Sequence, residues 1–215
     1  SIKNSERLNI DKENLIERKN GIVKSLFGKL YDENDGCFST GTTFDSDGKE
    51  IKSQHRAVDA VWFPLEDFSQ EEIDKIANSL NYSIKRFVKD MKHNKKIYRG
   101  AHYFLNSFSD KPLPESNLFE TAYNLEASWI VVTGLNEFAD KYPNCSSSSY
   151  FKEEAFKIWE GMQDFVCDNG LLCSSIEIPE FFSDRESSTA AIAYINTHDY
   201  YNKNPAVVHS NIKEN

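Results

Sequence analysis

Residues 117–141 constrain the fold most, because the middle of this segment is apolar nearly all round. A surface helix carries its apolar side chains along one stripe, whereas a helix that is apolar on every side must be covered on more than one face. We therefore expect this helix to be buried at the centre of a helical domain. Its main apolar residues are Phe119, Ala122, Ala127, Trp129, Ile130, Val132, Leu135 and Phe138.

Other segments with apolar residues at helical spacing could supply this cover. They predict helices over residues 12–31, 69–96 and 150–167, and from residue 187 onwards. Ser69 and Glu72 have the spacing of a capping box, which marks the start of the second helix. The lysine-rich stretch 92–96 suits its end, because cations are favourable at a helix C-terminus. The pattern predicts a mainly α protein built of antiparallel helix pairs.

A stretch rich in turn residues, 32–53, separates the first two helices. Asp35-Gly36 and Asp47-Gly48 are turn dipeptides, and short β-compatible pieces lie between them. Asp45 and its neighbours are typical of a turn in which aspartate side chains bond to their own backbone. We predict a small irregular β-hairpin near residues 36–52.

The length of 215 residues suits one domain, and we assign residues 1–205 to a single helical domain followed by a polar tail, 206–215. With 34 acidic and 25 basic residues the net charge is −9, which argues against nucleic-acid binding. No apolar run approaches the roughly 20 residues of a membrane span. No signal-peptide pattern is visible, so we expect a soluble protein that is cytoplasmic or exported without a classical signal. Nucleotide and zinc-protease motifs are missing, and we predict no cofactor and no metal.

Three segments resemble parts of a known family. Residues 30–43 read L-Y-D-E-N-D-G-C-F-S-T-G-T-T and are followed by V-D-A-V-W at 58–62. Residues 118–125 read L-F-E-T-A-Y-N-L, and residues 186–194 read E-S-S-T-A-A-I-A-Y. In this order they resemble the six-hairpin, (α/α)-toroid glycosidase-like proteins. The resemblance implies a toroid of helix pairs around a carbohydrate site.

The length departs from a complete toroid. About twelve helices with their loops need well over 250 residues. The chain has segments for about six to eight helices, judged by their periodicity. We therefore expect a partial toroid, either as a piece of a larger protein or as a reduced form of the fold.

Glycoside hydrolysis requires two carboxyl groups across the scissile bond, one protonated and one ionised. Asp59 is the first candidate, because it lies in the apolar segment 57–63, where a charge is costly without a partner or a purpose. The alternative is a structural carboxylate that pairs with His55 or Arg56 or caps a neighbouring loop. Trp62, one helical turn later, could stack on a sugar ring.

Two further carboxyl groups are catalytic candidates. Glu120 matches the glutamate of the family's motif, but it would also complete a capping arrangement if Asn117 starts the helix. Glu126 lies nearly two turns further along the same apolar helix and is a second buried acid.

The remaining candidates would contact substrate. Tyr103, Tyr123 and Trp129, with Trp62, would line a concave face that holds a carbohydrate. His102 could move a proton, or it could be an ordinary half-buried histidine. Glu186 precedes a helix start and could equally be a cap.

Two functions remain open at this point. The first is a glycosidase-like module that binds a carbohydrate and hydrolyses it with Asp59 and either Glu120 or Glu126. The second is a non-catalytic helical module that binds a protein or a glycan. Convergent carboxylates in an aromatic-lined pocket would favour the enzyme. Acids buried in caps or ion pairs, with a large exposed apolar patch elsewhere, would favour the binding module.

Overall fold

The computed structural model describes residues 11–52, 68–93, 96–101, 121–166 and 186–204. The chain divides into two compact units, Ser1–Arg56 and Ala57–Asn215. The expected polar tail lies outside the described residues, and the assignment of residues 1–205 to one domain stays a prediction. No helix within the described ranges is long and apolar enough to cross a membrane.

The first unit contains one helix and two short hairpins. Helix α1 is capped by Asp11, whose side chain accepts hydrogen bonds from the backbone N–H groups of Glu13 and Asn14. A π-helical turn continues it, so the helix predicted over 12–31 is confirmed as far as Leu30. The elements are α1 (Lys12–Ser25), the π turn (Leu26–Leu30), β1 (Tyr31–Asp32), β2 (Cys37–Phe38), β3 (Thr42–Phe44) and β4 (Glu50–Lys52).

The predicted irregular hairpin is confirmed. Strands β3 and β4 pair antiparallel, with Thr42 opposite Lys52 and Phe44 opposite Glu50. The Asp45 side chain accepts hydrogen bonds from the N–H groups of Asp47, at 3.0 Å, and Lys49, at 2.9 Å. This local bonding closes the turn, as the sequence predicts.

The second unit is mainly helical, as predicted. Its elements are α2 (Gln70–Phe87), β5 (Val88–His93), β6 (Lys96–Ala101), α3 (Thr121–Lys141), α4 (Ser148–Met162) with a 3-10 turn (Gln163–Phe165), and α5 (Glu186–Lys203). The capping box is confirmed: Ser69 accepts from the N–H of Glu72, and the Glu72 carboxylate accepts from the N–H of Ser69 at 2.8 Å. A closed toroid is not tested by these elements and stays a proposal.

The helix predicted over residues 69–96 is wrong in its last part. It ends at Phe87, and Val88 is extended, with φ −98° and ψ 133°. From there β5 pairs antiparallel with β6, from Val88 opposite Ala101 to His93 opposite Lys96. The hydrogen bonds that stabilise β5 come from β6, a separate segment further along the chain. The apolar residues of β5 continue the helical spacing of α2, so the spacing alone predicts a helix there.

Helix α3 is the centre of the second unit, which confirms the prediction for its described part. Leu125, Val131, Leu135 and Phe138 are fully buried. The helix packs against α2, α4, α5 and β6. Because neighbours surround it, the helix tolerates apolar residues on almost every side.

Three close contacts attach the hairpin to the helices. The N–H of Ala101 donates to the Ser128 hydroxyl of α3 at 2.9 Å. Arg99 donates through Nε to the buried carboxylate of Glu154 on α4, at 2.7 Å. Gly161 of α4 lies directly against the backbone of Arg99, with no room for a side chain.

Candidate functional site

Most of the predicted site residues lie outside what the structure describes. Asp59, Trp62, His102, Tyr103 and Glu120 fall outside the described residues. Tyr123 lies in the first turn of α3 and Glu186 begins α5, and for both only the backbone is described. Their assigned roles stay predictions. The described side chains of the predicted set belong to Glu126 and Trp129, both on α3 and both partly exposed.

A cavity of about 200 Å³ lies between α3 and α5. Helix α3 contributes Trp129 and the residues three, four, seven and eight positions after it. This spacing places all of them on one face of the helix. Two aromatic rings, several neutral polar groups and one carboxylate surround it. The lining residues are Trp129, Val132, Thr133, Asn136, Glu137, Asn196, Thr197 and Tyr200.

Asn136 carries a buried polar atom without a partner. The residue is only 1% exposed. Its Nδ2 donates to the Tyr201 hydroxyl at 3.3 Å, but its Oδ1 has no hydrogen-bond partner. Reversing the carboxamide would exchange the two atoms and still leave one unpaired. A buried polar group without a partner costs about 1–3 kcal/mol. The Oδ1 atom has almost no accessible surface, so a ligand would gain this energy only where the cavity wall shifts to expose the atom.

Glu137 is the carboxylate of the cavity. Glu137 is an exposed residue, but partial burial of its carboxyl group raises the pKa of Glu137, and the nearby charge of Asp140 raises it further. No Lys or Arg in the described part of the chain forms an ion pair with it. The lining described above includes no basic side chain. The carboxyl group is therefore the uncompensated charge of this wall.

Tyr200 presents its ring to the cavity while its hydroxyl is occupied elsewhere. The hydroxyl donates to Asp140 at 3.0 Å and accepts from Lys152 at 2.5 Å. Lys152 also donates to Asp140 at 2.6 Å. Burial, together with the Asp140 charge, raises the pKa of Tyr200 above its ordinary value. The ring also contacts Lys152, whose Nζ lies 5.2 Å from the ring centroid, and the Tyr201 ring, whose centroid is 5.2 Å away, so only the rest of its surface is open to a ligand.

An aromatic cluster holds α5 against α4. Trp159 stacks on Tyr201 with ring centroids 5.4 Å apart and an interplanar angle of 16°. The same indole contacts His198 at 5.8 Å and Tyr194 at 5.6 Å. Because this cluster is continuous with the Asn136–Tyr201 contact, it positions the buried carboxamide at the cavity wall.

Glu126 and Glu137 cannot act as the two carboxyl groups of one glycosidase centre. They are three turns apart on α3, a rise of about 16 Å along the axis. The two acids of such enzymes are about 5–9.5 Å apart. If Glu126 is catalytic, its partner is therefore not Glu137, and its pairing with Asp59 stays a prediction.

The sequence analysis missed Asn136, Glu137 and Tyr200. A signal was present, because Asn136 and Glu137 form a polar pair inside an otherwise apolar stretch of α3, two turns after Trp129. Such a pair is costly in a core unless it borders a cavity or has partners. Tyr200 had no comparable signal, since only the packing of α5 on α3 brings it to the cavity.

Comparisons of the chain with family models, with curated proteins and with solved structures found no match. The resemblance to the six-hairpin glycosidase-like proteins therefore rests on the three sequence segments alone.

Proposed function

We propose that this protein binds a carbohydrate in the cavity between α3 and α5. The observation that carries the proposal is the unpaired, buried carboxamide atom of Asn136 in a wall that also contains the rings of Trp129 and Tyr200. A sugar has an apolar C–H face that packs on aromatic rings and hydroxyl groups that both donate and accept hydrogen bonds. A sugar can therefore contact both the aromatic rings and the polar carboxamide of the cavity lining.

The size of the cavity limits the ligand. Sites for drug-sized molecules usually have about 300–1,000 Å³, and this cavity has about 200 Å³. One sugar residue, free or at the end of a chain, suits this volume. The neutral polar groups of Thr133 and Asn196 provide further hydrogen-bonding positions, whereas the buried Thr197 hydroxyl already donates to the Ala193 carbonyl at 2.8 Å.

The family resemblance extends the proposal to hydrolysis. In that form Asp59 and either Glu120 or Glu126 are the two carboxyl groups, about 6.5–9.5 Å apart in an inverting arrangement that leaves room for a water molecule. Glu126 supports this version, because it lies one turn before Trp129 on the same helix. The alternative, a module that binds a glycan or a protein without turnover, needs the cavity but no second acid.

Binding is tested by titrating the protein with a panel of monosaccharides and short oligosaccharides, followed by calorimetry and NMR. We expect at least one sugar to bind, and Asn136→Leu to weaken it about tenfold, because one hydrogen bond to a buried group is lost. Asn202→Ala is the matched control, since Asn202 is an exposed asparagine of α5 outside the cavity lining. Absence of binding by every sugar, or equal affinity in the Asn136→Leu protein, would refute the proposal.

Hydrolysis is tested separately on the sugars that bind. Release of reducing ends by the wild type, lost in Asp59→Asn and in Glu120→Gln or Glu126→Gln, would support the glycosidase version. Binding without any release of product would leave the non-catalytic module.

A further inference from the structure

We infer that the cavity between α3 and α5 selects a sugar that carries a protonated amine, with the ammonium group held by Glu137 and Asn136. This inference rests on the proposed carbohydrate binding and names the class of sugar. It depends on the charge and the hydrogen-bonding character of the two adjacent side chains, whereas the proposal of sugar binding depends on the buried carboxamide and the aromatic rings.

With the Asn136 carboxamide oriented as observed, Asn136 and Glu137 both offer hydrogen-bond acceptors at this wall. The Oδ1 atom of Asn136 is an unpaired acceptor, and the next residue, Glu137, supplies a carboxylate. A carboxylate accepts from two oxygens, and an ammonium group has three donors and no acceptor. A protonated amine can therefore satisfy both side chains, and the bond to the carboxylate is charge-assisted.

The lysine that contacts the cavity wall does not pair with Glu137. Lys152 of α4 is bound to Asp140 and to the Tyr200 hydroxyl. Its acidic partner is therefore Asp140, one turn after Glu137 on α3. Burial and the Asp140 charge raise the pKa of Glu137, which means that a cation beside its carboxylate would relieve an unfavourable interaction.

The same charges disfavour other sugars. An acidic sugar would bring a second negative charge to Glu137, with no basic side chain among the described lining residues to balance it. A neutral sugar would form the hydrogen bonds but lack the charge attraction. The preference for an amino sugar would thus come both from attraction between its ammonium group and Glu137 and from repulsion between an acidic sugar and Glu137.

The test compares glucosamine, glucose, glucuronate and ethanolamine by calorimetry, at a pH where the amines are protonated. We expect glucosamine to bind about three- to tenfold more tightly than glucose, the range of a partly exposed ion pair. Glucuronate should bind more weakly than glucose. In Glu137→Gln the ratio of the glucosamine affinity to the glucose affinity should fall to about one. Glu153→Gln, which removes an exposed carboxylate of α4 outside the cavity, should keep the preference.

The outcomes separate the two proposals. Equal binding of glucosamine and glucose, or a preference that survives in Glu137→Gln, would overturn the amine selectivity and leave carbohydrate binding intact. Ethanolamine binding as tightly as glucosamine would show that the sugar ring contributes nothing, and would overturn both. Far-UV circular dichroism of Glu137→Gln establishes that it is folded before its affinities are compared.

Discussion

Replacing Gly161 by alanine tests the packing of the hairpin on α4. Gly161 is buried, and a Cβ built on it would overlap the carbonyl oxygen of Arg99. It would also lie 3.0 Å from the carbonyl carbon and 3.2 Å from the nitrogen of the same residue. These are backbone atoms, which cannot rotate away as a side chain could, so strand β6 would have to move.

The energetic cost follows from this displacement. Extra volume in a well-packed core costs about 1–3 kcal/mol. Moving β6 also lengthens the ion pair of Arg99 with Glu154, which is now 2.7 Å, and the hydrogen bond from Ala101 to Ser128, which is now 2.9 Å. Losing each of these bonds costs about 1 kcal/mol or more. Alanine recovers about 1 kcal/mol through its better helix propensity. We expect Gly161→Ala to lower the free energy of unfolding by about 2 kcal/mol.

Urea unfolding monitored by tryptophan fluorescence measures this change, because Trp62, Trp129 and Trp159 all belong to the second unit. The midpoint should fall with an unchanged slope. Gly21→Ala is the control: Gly21 lies inside α1 with no atom within 4 Å of a built Cβ. That substitution should stabilise the first unit by about 0.5–1 kcal/mol, measured by far-UV circular dichroism. A Gly161→Ala protein as stable as the wild type would refute the reasoning.

Three further predictions concern single side chains. Glu154→Gln should lower the free energy of unfolding by about 1–3 kcal/mol, because Arg99 loses a buried charged partner; an unchanged Tm in calorimetry would contradict this. Ser69→Ala should cost about 1 kcal/mol by removing the capping box with Glu72, whereas Ser69→Asp should retain most of the stability in urea titrations. The raised pKa of Glu137 stabilises the fold fully below its ordinary value of 4.5, and this contribution is lost as the pH rises through the raised pKa. Glu137→Gln should therefore gain stability relative to the wild type as the pH rises from acid to neutral, and a pH-independent difference would disprove this origin.

The starts of several helices were predictable because their signals are local. The capping box of Ser69 and Glu72 marks the start of α2, and the predicted starts at residues 150 and 187 lie within two residues of α4 and α5. The turn at Asp45 was predictable for the same reason, since its hydrogen bonds join residues within four positions.

The end of α2 and the cavity were not predictable in the same way. The hydrogen bonds of β5 come from β6, and Gly161 allows β6 to approach α4, so the hairpin depends on partners distant in the sequence. Likewise Trp129 was predicted as a contact residue from its type, but its neighbours in the cavity come partly from α5.

The amino-acid sequence alone determined that α3 is buried on several sides, because an uncovered apolar helix would expose too much apolar surface to water. It also determined where helices begin, since capping groups bond to backbone a few residues away. Tertiary structure alone decided that Asn136 is left with an unpaired atom, that no lysine or arginine of the described ranges pairs with Glu137, and that Tyr200 borders the same cavity. Burial and pairing are properties of the surroundings, and those surroundings exist only once α5 packs on α3.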